Sequence, residues 1–156
     1  MSGLSHFDDQ GASRMVDVSG KAVTLRFARA SGCIRMAPAV LQLIRDRQMA
    51  KGDVLEVARL AGILGAKRTG ELIPLCHTIP VESVTIDFSF PDESTVSVES
   101  HVQATARTGV EMEALTAVSV ALLTIYDMCK AVDRRMVLGP IQLEEKVGGR
   151  SGHFQR

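Results

Sequence analysis

The sequence predicts an α+β fold. Residues 23–36, 84–90 and 96–106 alternate apolar with polar or small residues, the period of half-buried strands. Residues 38–51, 54–67 and 112–132 instead repeat apolar positions at spacings of three and four, the period of helices. The order is strand, helix pair, hairpin, helix and, after Gly139-Pro140, a last strand through Ile141 and Leu143. This β-αα-ββ-α-β order is that of a ferredoxin-like sandwich, an antiparallel sheet with helices packed on one face. The 156 residues suit one compact domain over residues 21–146, flanked by a loosely ordered arm (1–20) and a flexible Gly-rich tail (147–156).

Each element has its own local reasons. Val23, Leu25 and Phe27 alternate with Thr24 and Arg26 in the first strand, which Ser31-Gly32 interrupts as a bulge. Pro38 suits the first turn of a helix carrying Val40, Leu41, Ile44 and Met49, with Gly52 as its stop. Asp53, with Glu56 three residues on, caps a second helix to about Lys67. In that helix Gly62 and Gly65 share a side, and each costs about 1 kcal/mol of helix stability relative to Ala, so a close backbone contact is expected there. Pro74 prevents Leu72-Ile73-Pro74-Leu75-Cys76-His77 from continuing a helix. Pro91-Asp92-Glu93-Ser94 turns the hairpin. In the third helix Leu115, Val118, Leu122, Ile125, Cys129 and Val132 form a stripe, widened by Val120 and Leu123.

Composition narrows the function classes. The 18 basic and 18 acidic side chains cancel, so no global positive field gathers nucleic acid or anionic membrane. Trp is absent and Tyr occurs once, which disfavours a base-stacking platform. No apolar run approaches the roughly 20 residues of a membrane span, and the first residues carry no signal-peptide pattern. Cys33, Cys76 and Cys129 are odd in number and far apart, which speaks against a disulfide framework or a thiolate zinc site and fits a reducing cytoplasm. His6, His77, His101 and His153 show no metal-ligand spacing.

Several residue sets could carry chemistry. Asp127 and Lys130 stand three apart near the end of the long helix, on the side shared by Thr116, Val120 and Leu123. A carboxylate and an ammonium beside an apolar face suit acid–base work, although spacing alone favours an ordinary surface ion pair. Glu111 and Glu113 flank Met112 in the first turn, where carboxylates complement the macrodipole; a guanine-like N–H pair is the functional alternative. Cys76 and His77 are neighbours in an apolar turn and read most simply as structural. Lys51, Lys67, Arg68, Lys146 and Arg150 fall at element ends or in Gly-containing loops, where cations can converge on a polyphosphate or merely solubilise.

Taken together, Leu72-Ile73-Pro74-Leu75-Cys76-His77, Gly109-Val110-Glu111-Met112-Glu113-Ala114-Leu115-Thr116, Leu123-Thr124-Ile125-Tyr126-Asp127-Met128-Cys129-Lys130-Ala131 and Lys146-Val147-Gly148-Gly149-Arg150-Ser151-Gly152 resemble the MoaC family, the cyclic pyranopterin monophosphate synthases of molybdenum cofactor biosynthesis. Met15-Val16-Asp17-Val18 and Lys51-Gly52-Asp53-Val54 fit as well. The resemblance implies a ferredoxin-like lyase that converts 3′,8-cyclo-7,8-dihydro-GTP to cyclic pyranopterin monophosphate and releases pyrophosphate. By matching positions it implies Asp127, Lys130 and Lys51 as catalytic, and Leu75, Cys76, His77, Met112 and Glu113 as substrate contacts. Lys67, Lys146 and Arg26 would bind the triphosphate, with Arg150 beside them. It further implies a homo-oligomer, a hexamer built as a trimer of dimers, with active sites between subunits, which offers an account of the Gly62 and Gly65 face. No resident cofactor or metal is expected, although Mg²⁺ can arrive on the triphosphate. Neither nucleic acid nor membrane is an expected partner. One departure is Thr78, where the family usually has Pro directly after the His. A ligand-sensing regulatory domain is the alternative from another class, and an inactive scaffold a third.

Overall fold

A computed structural model describes residues 6–8 and 10–156; of the N-terminal arm, residues 1–5 and 9 lie outside the described residues. The chain runs β1 (Thr24–Arg35), α1 (Pro38–Arg45), α2 (Val54–Lys67), α3 (Thr69–Leu72), β2 (Ser83–Ser89), β3 (Thr95–Ala106), α4 (Glu111–Cys129), β4 (Val137–Val147) and β5 (Phe154–Gln155). The strands form one open sheet in the order β2-β3-β1-β4-β5, every neighbouring pair antiparallel. The α+β fold is therefore as expected, with β3 interleaved between β1 and β2 and with β1 between β3 and β4.

Packing follows from the alternation. Ala28, Ala30, Gly32 and Ile34 of β1 point into the core beneath α4, which lies across β1, β3 and β4, while α2 lies beside α4 over β2. Small residues on β1 let α4 approach closely: a Cβ on Gly32 would stand 2.6 Å from Val118 Cγ1 and 2.9 Å from Leu122 Cδ1. Leu122 and Ile125 are fully buried, each contributing about 1.5–3 kcal/mol relative to exposure. Among the described residues no helix packs on the opposite sheet face, which is polar, with Arg29 bridging Glu99 (2.8 Å) and Glu145 (3.6 Å). The bulge expected at Ser31-Gly32 occurs as two register shifts against β4, between Arg29 and Ala30 and between Gly32 and Ile34; pairing with β3 is unbroken.

Four expectations need correction. Helix α1 stops at Arg45 rather than near Gly52. Arg47 adopts a left-handed φ of 53°, and the N–H groups of Arg47 and Gln48 bond the carbonyls of Ile44 and Leu43, the pattern that closes a helix, here without a glycine. Helix α4 ends at Cys129, so Val132 falls outside the stripe and is exposed; Leu123 is also exposed, because the buried arc runs instead through Ala114, Ala117 and Ala121. The Gly62 and Gly65 face meets α4 of the same chain, not a second subunit: a Cβ on Gly62 would press on Ile86 and stand 2.9 Å from the Ala117 carbonyl. Finally, α4 is long and apolar enough by length and composition to cross a membrane. It is the core helix, packed against the sheet and α2.

Candidate active site

The two ends of α4 carry two different constellations. At its C-terminal end Asp127 sits in the last turn, where a carboxylate opposes the helix dipole. Two ammonium groups offset that repulsion. Lys130 Nζ lies 2.7 Å from Asp127 Oδ1, one turn along the chain. Lys51, carried by the turn between α1 and α2, reaches across to place Nζ 3.2 Å from Oδ2 and 2.9 Å from the Asp127 carbonyl oxygen. Gly52, at a φ of 96°, and the Asp53 cap bonded to the Glu56 N–H (3.2 Å) hold that turn. Lys130, then Lys51, hold the Asp127 carboxyl below the usual carboxylate range. All three side chains are about half exposed, so the cluster is open to a reactant.

At the N-terminal end of α4 a cavity of about 450 Å³ is lined by Leu75, Cys76 and His77 from the turn after α3, by Met112 and Glu113, and by Val16 and Val18 of the arm. Pro74 and the Cys76 N–H bond to the Ile73 carbonyl (3.1 Å) shape this turn. His77 Nε2 lies 2.7 Å from the Val16 carbonyl oxygen, tying arm to turn. Glu113 is only 2% exposed, and burial pushes its carboxyl up to about 7, with neighbouring Glu111 adding to the rise. Burial likewise raises the Cys76 thiol, helped by Glu113 and Glu111, so Cys76 is a packing group rather than a thiolate nucleophile.

Beside it lies a second cavity, of about 750 Å³, bounded by the β1 entry, the loop after β3 and the loop after β4. Lys21, Arg26, Arg107, Lys146 and Arg150 line it, with Glu111 the single carboxylate among the described residues. Arg26 is buried, donating from Nε to the Ala106 carbonyl and from Nη2 to the Arg107 carbonyl (both 3.2 Å), so it organises the loop leading into α4. Gly148 and Gly149, at φ of 99° and 81°, lie over Arg26; a Cβ on Gly148 would stand 3.1 Å from its Cδ. Lys146 Nζ bonds Ser151 Oγ, which steadies the loop before β5.

The structure thus gathers Asp127, Lys130 and Lys51 into one cluster, Leu75, Cys76, His77, Met112 and Glu113 into one cavity, and Arg26, Lys146 and Arg150 into the cavity beside it. Lys67 is exposed in the last turn of α2 and lines neither cavity. Sequence reasoning missed Lys21 and Arg107; their neighbours Gly20 and Thr108-Gly109 were the available signal, marking them as loop cations like those it did collect. The helical rise places Asp127 about 21 Å along α4 from Glu113, so within one chain the cluster and the cavities stand apart. Among the described residues no three His, Cys, Asp or Glu side chains come together as metal ligands.

Comparison with known proteins shows the family. A model of the MoaC family matches residues 15–149. Cyclic pyranopterin monophosphate synthase 3 of Mycobacterium tuberculosis (strain ATCC 25618 / H37Rv) is 60% identical over 153 residues, covering 98% of this chain and 86% of the relative. The cyclic pyranopterin monophosphate synthase of Magnetococcus marinus is 61% identical over 158 aligned positions, covering 100% and 96%, and that of Brevibacillus brevis 54% over 153, covering 98% and 96%. The matched span takes in the arm at Val16, the Cys76–His77 turn, both ends of α4 and the Gly148-Gly149 loop, so this chain belongs to the MoaC family.

Proposed function

We propose that this chain is a lyase of molybdenum cofactor biosynthesis that converts 3′,8-cyclo-7,8-dihydro-GTP to cyclic pyranopterin monophosphate with release of pyrophosphate. The observation that carries the reading is the pairing of a half-apolar cavity holding a buried acid with an adjoining five-cation cavity, the shape and charge of a purine nucleotide triphosphate. The reaction asks for ring opening, ring closure and attack on the α-phosphate. Ring opening and closure need protons moved on and off nitrogen and carbon. Asp127 with its two lysines offers an acceptor between two donors for that work. Glu113, with a carboxyl near neutrality, can accept from the N–H pair of a guanine-like edge or donate to its carbonyl. In the attack on the α-phosphate a ribose hydroxyl oxygen bonds to phosphorus, the phosphorus bond to the bridging oxygen breaks, and pyrophosphate leaves with the electron pair. The hydroxyl proton passes to a base of the site. Cations facing the phosphates neutralise the charge that develops. Any Mg²⁺ travels on the phosphates as part of the substrate.

A helix does not fold back on itself, so the Asp127 cluster reaches the cavities only if a second copy of the chain supplies one of them. We therefore place the complete site between subunits of a homo-oligomer, a hexamer assembled as a trimer of dimers. The three free cysteines suit a reducing cytoplasm. The purified protein, given 3′,8-cyclo-7,8-dihydro-GTP, is expected to release pyrophosphate and to yield a pterin that fluoresces after oxidation. Tight binding with neither product would overturn the reading and favour a ligand sensor.

A further inference from the structure

We infer that Asp133 is a positioning residue for the reaction: it ties the start of α1 to the exit of α4 and so holds Lys51 on Asp127. Asp133 is buried and lines neither cavity. Three hydrogen bonds converge on it. Its N–H donates to the carbonyl of Cys129, the last residue of α4 (3.1 Å). Its Oδ1 accepts the Arg135 N–H (2.8 Å), which fixes the bend toward β4, and its Oδ2 accepts the Ala37 N–H (3.2 Å) at the entry to α1. The Arg135 guanidinium stands 3.8 Å from Oδ1 but is 93% exposed, so it adds little.

Helix α1 needs this carboxylate from another element. Its N-cap is Ala37, which offers no side-chain acceptor, and no acidic residue stands in its first turn. Asp133 accepts an N–H there and faces the positive end of the helix dipole. Otherwise α1 is held by Val40, Leu41 and Ile44 in the core, and its backbone runs close to the other elements at few points. Beyond α1 the chain passes buried Met49 to Lys51, whose Nζ reaches back to the Asp127 carboxylate and carbonyl. The segment from Ala37 to Lys51 is thus fastened to α4 and its exit loop at both ends. Releasing the Asp133 end frees Lys51 to leave Asp127, whereas Lys130 follows Asp127 on the same helix end and stays.

This assignment rests on the catalytic reading of Asp127, Lys130 and Lys51, and the test separates the two. Wild type, Asp133→Ala, Asp133→Asn, Lys51→Ala and the Lys51→Ala/Asp133→Ala pair are compared as intact oligomers below their melting temperatures. The Asp127 carboxyl is titrated by carbon-13 NMR without substrate, and kcat and KM are measured with the cyclised GTP. In Asp133→Ala the Asp127 carboxyl should titrate higher than in wild type and as high as in Lys51→Ala, because one ammonium has left it. Turnover should fall about tenfold with KM changed by less than about twofold. Asp133→Asn keeps one acceptor oxygen and should lie between wild type and Asp133→Ala. Adding Asp133→Ala to Lys51→Ala should lower kcat no further, since both act through one contact. An unshifted Asp127 titration in Asp133→Ala overturns the inference, as does a loss of kcat equally large in the Lys51→Ala background. If Asp133→Ala does not fold, Asp133→Asn carries the same comparison. A wild-type protein that turns nothing over, with the Asp127 titration shifted in Asp133→Ala, overturns the catalytic reading and keeps the tether.

Discussion

At the scale of single residues, two carboxyl groups on one helix are pushed in opposite directions. Asp127, beside Lys130 and Lys51, is held below the usual carboxylate range by the two ammonium groups. Asp127→Asn keeps the size of the side chain but removes the charge that orients both lysines. It should lower kcat by about 10²–10⁴-fold with the fold unchanged, as steady-state kinetics and circular dichroism would show. Glu113 behaves the other way. Its carboxyl, ordinarily near 4.5, is raised to about 7 by burial, so folding favours the neutral form. Between those values the unfolded chain gives up this proton before the folded one, and stability falls as pH rises from about 4.5 to about 7. Glu113→Gln removes that loss. Melting should show the variant close to wild type at low pH and more stable at high pH, with a ceiling of about 3 kcal/mol. A constant difference across the range would contradict a buried neutral acid. The raised acid itself was not legible in the sequence: a Glu in a first helical turn reads as dipole compensation, and only the packing of Cys76, His77 and the arm over it makes it a buried group.

At the scale of elements, local chemistry was legible where one residue decides the outcome. Pro38 opens α1, Asp53 caps α2, and the alternation from Val84 to Ala106 makes the hairpin. It was illegible where distant partners decide. The α1 stop depends on Arg47 taking a left-handed conformation that sequence would assign to Gly52, and Leu123 is exposed because the buried arc of α4 widens from Val118, Leu122 and Ile125 toward Ala114, Ala117 and Ala121 rather than toward Leu123. The glycines of α2 lie between these cases, since their cost predicts a close contact without naming the partner. Gly62→Ala should destabilise by about 1–3 kcal/mol despite its gain in helix propensity of about 1 kcal/mol, because the Ala117 carbonyl cannot move aside. Chemical denaturation measures this, and a stabilised variant would mean that α2 stands off α4. The loop after β4 makes a related case. Gly149→Ala meets both a φ of 81° and the Arg26 guanidinium, so it should disturb the cavity that Arg26 lines and raise KM about tenfold or more.

At the scale of the whole molecule, the fold separates what the proposed chemistry must join. Helix α4 gives one end to the two cavities and the other to the Asp127 cluster, about 21 Å apart. The matched motifs named both groups of residues but carried no information on their spacing in one chain; the continuous 19-residue helix supplies it. A site shared between subunits reconciles the two, and it predicts complementation. Asp127→Asn and Glu113→Gln chains, each inactive alone, are to be co-expressed with separate tags and purified as mixed oligomers. In such oligomers one kind of interface joins an intact Asp127 cluster to an intact cavity, so turnover of the cyclised GTP should return to about a quarter of the wild-type value for random pairing in dimers. If the mixed oligomers form and remain as inactive as either variant, the site is contained within one chain, and the division along α4 is not how this protein works.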